Sequence, residues 1–239
     1  PEPRSRPMEE PQFITAAESS VSERSTFLQQ VALRTLGALC VTAVAAVLSM
    51  FLVAPAFFGM GTIAVLLCVY GGLFGAQFLG RKLVYGQAKV AGVVVGSSLQ
   101  GLALGFLLLM AVATTAPGEG LQIIGYALLM MVLSVAAMLL YVSNEPRDFS
   151  MLRAGLAMAG IPMLVLMGLQ FVIPAEGMLG LVVSGVFLLV SVGALLYRLN
   201  VVLREFPPYA ATEAAFELSL GIVIFFWNLL SFLLRMRRR

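Results

Sequence analysis

The sequence turns on residues 181–234, which read LVVSGVFLLVSVGALLYRLNVVLREFPPY (181–209) and then AATEAAFELSLGIVIFFWNLLSFLL (210–234). Two apolar runs, each long enough to cross a bilayer at about 20 residues per span, flank a short polar loop. The charge within them is oddly placed. Arg198 closes the first run, and Glu213 and Glu217 lie one turn apart at the start of the second. Ionisable groups in or beside a spanning helix are costly in hydrocarbon and seldom face lipid. Arg198, Glu213 and Glu217 are therefore expected to turn inward as a candidate intramembrane ionic cluster.

Composition places the rest of the chain in the same class. It is 60% hydrophobic and only 11% charged, with mean hydropathy +0.99, where a soluble domain carries about 25% charged residues. An all-α integral membrane protein is expected. Histidine is absent, which removes the commonest general base and metal ligand. No HExxH, no GxSxG and no Ser/His pair occurs, so no catalytic residue, cofactor or metal site is expected and the chain is read as no enzyme. The net charge of +3 comes without a basic face bearing base-stacking aromatics, which argues against nucleic acid. Cys40 and Cys68 both lie in apolar runs and are read as small buried hydrophobes.

In chain order, residues 1–26 are rich in Pro, Ser and Glu and cannot bury a core of their own. They are read as a polar tail and as a contact for another membrane subunit, not as a signal peptide. A seven-helix transmembrane domain follows over 27–236, with spans at about 30–53, 57–79, 91–115, 121–142, 151–174, 178–199 and 212–234, and a basic tail at 235–239. Turns are expected at Ala54-Pro55, Ala116-Pro117-Gly118, Asn144-Glu145-Pro146, Pro174 and Pro207-Pro208, and a kink at Pro162. Arg4, Arg6, Arg24, Arg34, Arg81, Lys82, Lys89, Arg147, Arg153, Arg198 and Arg204 all belong to one face, which puts the N-terminus in the cytoplasm. Arg235, Arg237, Arg238 and Arg239 break this pattern, since by parity the seventh span exits opposite. A full span is favoured over a re-entrant one because 212–234 is uniformly apolar.

Gly71-x3-Gly75, Gly92-x3-Gly96 and Gly101-x3-Gly105 are candidate helix-packing glycines, because small residues let backbones approach closely in lipid. Packing within one bundle is favoured over a homodimer seam. Gln77, Gln100, Gln170, Asn228, Ser97, Ser98, Ser184 and Ser231 are expected to hydrogen-bond between helices, and Asp148 to cap the fifth helix.

Three stretches together resemble the Bax inhibitor-1 family, including its YccA-like bacterial branch. They are Arg147-Asp148-Phe149-Ser150-Met151-Leu152 before AGLAMAG, then Leu99-Gln100-Gly101-Leu102-Ala103-Leu104-Gly105, and the terminal hairpin, with Leu195-Leu196-Tyr197 and Leu218-Ser219-Leu220 leading to Asn228-Leu229-Leu230. The resemblance implies a seven-helix bundle with the last helix central, wrapped by the other six, in a bacterial inner membrane. Relatives that leak calcium or protons carry one Asp directly after the Leu-Tyr of helix six and another in helix seven. Here those family pore-aspartate positions are replaced, by Arg198 and Gly221. The family's helix-two arginine has no counterpart between Thr62 and Phe78. The expected function is that of an accessory subunit or modulator of a larger membrane assembly, with a membrane-anchored ATP-dependent protease implied as one partner. The alternative is a pH- or calcium-responsive cation or proton leak channel using Glu213 and Glu217.

Overall fold

The computed structural model describes residues 21–144, 150–172 and 177–237, and every regular element among them is helical. α1 (Val21–Leu48) passes through a π-helical turn, Ser49–Val53, into α2 (Ala54–Gly59). α3 (Thr62–Gly75) passes through a second π turn, Ala76–Gly80, into α4 (Arg81–Val84). Then follow α5 (Lys89–Ala113), α6 (Glu119–Asn144), α7 (Ser150–Val172), α8 (Gly177–Arg204) and α9 (Ala211–Arg237). Six of the resulting rods are long and apolar enough to cross a membrane: Ser25–Gly59, Ile63–Val84, Lys89–Ala113, Glu119–Val142, Gly177–Arg204 and Ala211–Arg237. α7 is a seventh long helix, with 23 residues.

The first two spans depart from expectation, and Pro55 is the reason. The pair Ala54-Pro55 does not turn the chain. Proline lacks an N–H and is tolerated in the first turn of a helix, and here it opens α2. The π turn just before it lets the Ala54 N–H reach back to the Ser49 carbonyl, a wider loop of the kind that absorbs an interruption in the helical ladder. The chain turns instead at Met60-Gly61, where Gly61 takes φ +100°, a conformation glycine adopts without steric cost. Every residue of the second span thereby shifts about five positions, from the expected 57–79 to Ile63–Val84. At the other end, α1 begins at Val21, inside the segment read as tail. Its first turns are supported by the Thr26 hydroxyl donating to the Ser22 carbonyl at 2.9 Å. Residues 1–20, the Asn144-Glu145-Pro146 turn beyond Asn144, Asp148 and Pro174 lie outside the described residues, as do the side chain of Gln170 and the pair Arg238 and Arg239.

Two helices form the interior. α9 buries residues on every side, among them Ala214, Phe216, Ser219, Leu220, Phe225 and Leu230, as a helix apolar all round does when other helices surround it. It packs against α8, α1, α6, α5 and the short α4. α7 instead packs on α8, so among the described residues the last helix is central but not ringed by all the others. α5 is the second inner helix and touches α1, α3, α4, α6 and α9. α9 runs unbroken to Arg237, whose guanidinium donates to the Glu119 carboxylate at the start of α6. It therefore reaches the end of the bundle opposite Lys89, which opens α5.

Close approach along α5 rests on glycine. A Cβ on Gly96 would come within 2.5 Å of the Phe216 ring of α9, and one on Gly105 within 2.5 Å of Ser49 Cβ. Gly92 lies against the Val84 backbone, Gly101 against the Thr42 carbonyl and Ala45, and Gly75 against Leu99. Gly71 is the exception and faces open space; its neighbour Gly72 makes the contact, against the Leu99 carbonyl. A shift of one residue on a helix rotates the position by about 100°, which separates the two. Gly80, not singled out from sequence, packs against Phe216 and Gly96.

The polar residues of the spans bond differently from expectation. Ser184 donates to Leu181 and Asn228 to Ile224, both within their own helices, since short polar side chains can reach the carbonyl three or four residues back. Ser97 and Gln100 are buried without a hydrogen-bond partner among the described residues. A bond between helices comes instead from Ser49 in the first π turn, which donates to the Leu102 carbonyl of α5 at 2.8 Å. Cys40 lies on the outer surface rather than inside, and Cys68 is half-buried; both are free thiols.

Gly101→Ala is expected to lower stability by about 1–3 kcal/mol, because the added methyl overpacks α5 against the α1 backbone. Gly71→Ala, in open space on a helix, is expected to be neutral or to stabilise by up to about 1 kcal/mol. Thermal unfolding of the two variants in detergent micelles checks the pair, and equal losses would contradict the packing described.

Candidate functional site

Four helices converge at the end of the bundle where α4 stops and α5 and α9 begin. Glu213 and Glu217 are four residues apart near the start of α9, so their side chains leave the same face of the helix. That face is turned inward: the side chains are 9% and 13% exposed. A carboxylate so placed needs a counter-charge, since an isolated buried ion is strongly disfavoured. Each has one.

Glu217 sits between two arginines. Arg81 Nη2 of α4 lies 2.6 Å from its Oε2, and Arg198 Nη1 of α8 lies 2.9 Å from the same atom. Arg198 Nη1 also donates to the Glu217 backbone carbonyl at 2.9 Å. Glu213 is held by Lys89 at the start of α5, with Nζ 2.6 Å from Oε1. Arg198 and Glu217 are thus brought together as the sequence led one to expect, whereas Glu213 joins Lys89 rather than Arg198. Close by, Arg34 of α1 donates to the Thr212 hydroxyl at 2.6 Å, and the Thr35 hydroxyl to the Ala215 carbonyl at 3.4 Å. All the inner elements of this end are therefore tied to the first turns of α9.

Arg81 and Lys89 were placed in a loop by sequence reasoning and missed as members of the cluster. The displaced second span explains the first: the helix runs on to Val84, and Arg81 leaves it directly after the buried π turn Ala76–Gly80. An arginine from the second rod does reach the central carboxylate, three residues beyond Phe78. The available signal was stoichiometric, because two inward carboxylates and one Arg198 leave an anion without a partner.

Gly221 lies one turn beyond Glu217 on the same face, and Arg198 covers it. A Cβ there would sit 2.9 Å from Arg198 Cδ and 3.1 Å from Leu195 Cδ1. The apolar stem of the arginine thus rests on bare backbone while its head reaches Glu217, a division of labour common for long cationic side chains. Arg198 and Gly221 are thus in contact. Tyr85, in the turn between α4 and α5, completes the cluster's outer edge. Its phenol pKa is pushed up to about 12, first by the partial burial of the side chain and then by the negative charge of Glu217.

The fold and this cluster define a polytopic helical membrane protein whose inner carboxylates each have a cation at bonding distance. The family model described as inhibitor of apoptosis-promoting Bax1 matches residues 24–239. The chain belongs to the Bax inhibitor-1 family. Comparisons with curated proteins and with solved structures give no match.

Arg198→Met is expected to destabilise by about 3 kcal/mol, because Glu217 stays buried with only one cation. Arg81→Met should cost about 1 kcal/mol or less, its side chain being 43% exposed to solvent screening. The double variant should lose more than the two losses combined, since both cations serve one carboxylate oxygen. Thermal unfolding in micelles measures all three, and strict additivity would show that the arginines act independently.

Proposed function

We propose that the chain is a non-enzymatic, seven-span member of the family that conducts no ions and acts as an accessory subunit or modulator of a larger membrane assembly. Its setting in this proposal is a bacterial inner membrane, with the N-terminus cytoplasmic. The observation that supports the reading is the pairing of the two carboxylates. A pH- or calcium-responsive carboxylate pair depends on two anions that cannot both ionise cheaply. Here Glu217 accepts from Arg81 and Arg198, and Glu213 from Lys89. The positions at which ion-leaking relatives carry aspartates hold Arg198 and Gly221. Such an arrangement ties helices together instead of exchanging a cation. Residues 1–26 and the basic segment 235–239 are the proposed contacts with other subunits. A membrane-anchored ATP-dependent protease is the first partner to test, on the resemblance to the YccA-like branch.

The test has two parts. Liposomes reconstituted with the full chain and loaded with a calcium or pH dye are expected to show no flux above protein-free vesicles. Flux that disappears in Glu217→Gln would overturn the reading in favour of a conduit. Affinity purification from native membranes in mild detergent is expected to bring down a further integral membrane chain at fixed stoichiometry, and recovery of a lone monomer would count against the subunit role.

A further inference from the structure

The ionic cluster carries more positive charge than its own carboxylates consume. Around Glu213 and Glu217 stand Arg81, Lys89 and Arg198, and Lys82, beside Arg81, is exposed and makes no ion pair among the described residues. Four cations therefore face two anions. The surplus is also directional. The carboxylates are 13% and 9% exposed, whereas the Arg81 and Lys89 side chains are 43% and 45% exposed, so these two present an outer side beyond the bonds they make inward. Tyr85 is 56% exposed and lies between them in sequence, in the turn Tyr85–Ala88 that joins two spans. That turn is at the level where a helix pair leaves the hydrocarbon.

We propose that Arg81, Lys82, Lys89 and Tyr85 form a phosphate-binding corner that takes the headgroup of an acidic phospholipid. The chemistry fits a phosphodiester. One or two negative charges balance the surplus cations, and the phosphate oxygens accept from guanidinium, ammonium and phenol together. With its pKa pushed up to about 12, the phenol stays protonated and remains a donor at any physiological pH. Basic corners between spanning helices at the membrane surface are where acidic headgroups settle, and a tyrosine with a wet end and an apolar ring suits that depth. The same oxygens could come from soluble phosphate, but the position of the turn between two spans favours the lipid.

The test uses the full chain in nanodiscs of equal phosphatidylcholine and phosphatidylglycerol, with retained lipid counted by native mass spectrometry. Preferential retention of phosphatidylglycerol, by about fivefold or more, is the expected result, with Lys82→Gln and Tyr85→Phe each lowering the preference severalfold. Neither variant strips a partner from a buried carboxylate, so both should keep the wild-type melting temperature. Equal retention of the two lipids, or an undiminished preference in both variants, would overturn the proposal. A preference abolished by inorganic phosphate in millimolar excess would overturn the lipid assignment in favour of a soluble phosphate.

Discussion

Glu217 sets the terms for the cytoplasm-facing end proposed for this bundle. It is one carboxylate near the start of the most enclosed helix, and taking it out of water is tolerable only with a cation at bonding distance. Two arginines supply that, from α4 and α8. Because those helices are far apart in sequence, the requirement of one side chain fixes the relative height of three rods. Lys89 on Glu213 fixes a fourth, α5. Apolar surface cannot do this in lipid, since a hydrocarbon solvent gives helices little preference between sliding and staying. The polar ties at this end, and Arg237 on Glu119 at the other, are what give the bundle a register.

Between these ends, cohesion comes from shape. Along α5, Gly92, Gly96, Gly101 and Gly105 each present backbone to a neighbour. The successive partners are α4, α9 and then α1 with the π turn that follows it. Glycine here is less a conformational device than a way of bringing backbones into contact, so that many weak dispersion contacts accumulate. The two π turns serve the same packing. The first buries Ser49 against Leu102, and the second buries Ala76 and Gly80 beneath Phe216 before releasing Arg81 outward. Widened turns of this kind recur where a helix must re-aim side chains.

Much of this was legible in the sequence. The helical class, the positions of the long helices from α5 onward, the inward turn of Arg198 and Glu217 and five of the six packing glycines follow from apolar length, charge cost and small-residue spacing. The largest departure traces to one residue. Pro55 carries the usual signature of a turn, but tertiary packing makes it the start of α2. Everything from there to Val84 shifts by about five residues. The same shift carries Arg81 from a loop onto a helix, so the missing counter-ion of Glu217 and the misplaced second span are a single error. Gly71 and Gly72 show a finer limit. Their spacing motifs are nearly equivalent in sequence, and only the rotation of α3 about its axis decides which one meets Leu99.

The contact between Arg198 and Gly221 makes the two residues depend on each other. An aspartate at position 221 would place its Cβ 2.9 Å from Arg198 Cδ, so the arginine stem could not lie where it does. Glycine at 221 and arginine at 198 are therefore one substitution in physical terms, because each makes room for or fills the other. Once the cation occupies that groove, its head extends a full turn along α9 and meets a carboxylate at 217 rather than at 221. Arg81 shares that carboxylate from α4. The acid at 217 thus sits between two guanidinium groups that share one of its oxygens. The central helix is then pinned to α4 and α8 through a single carboxylate.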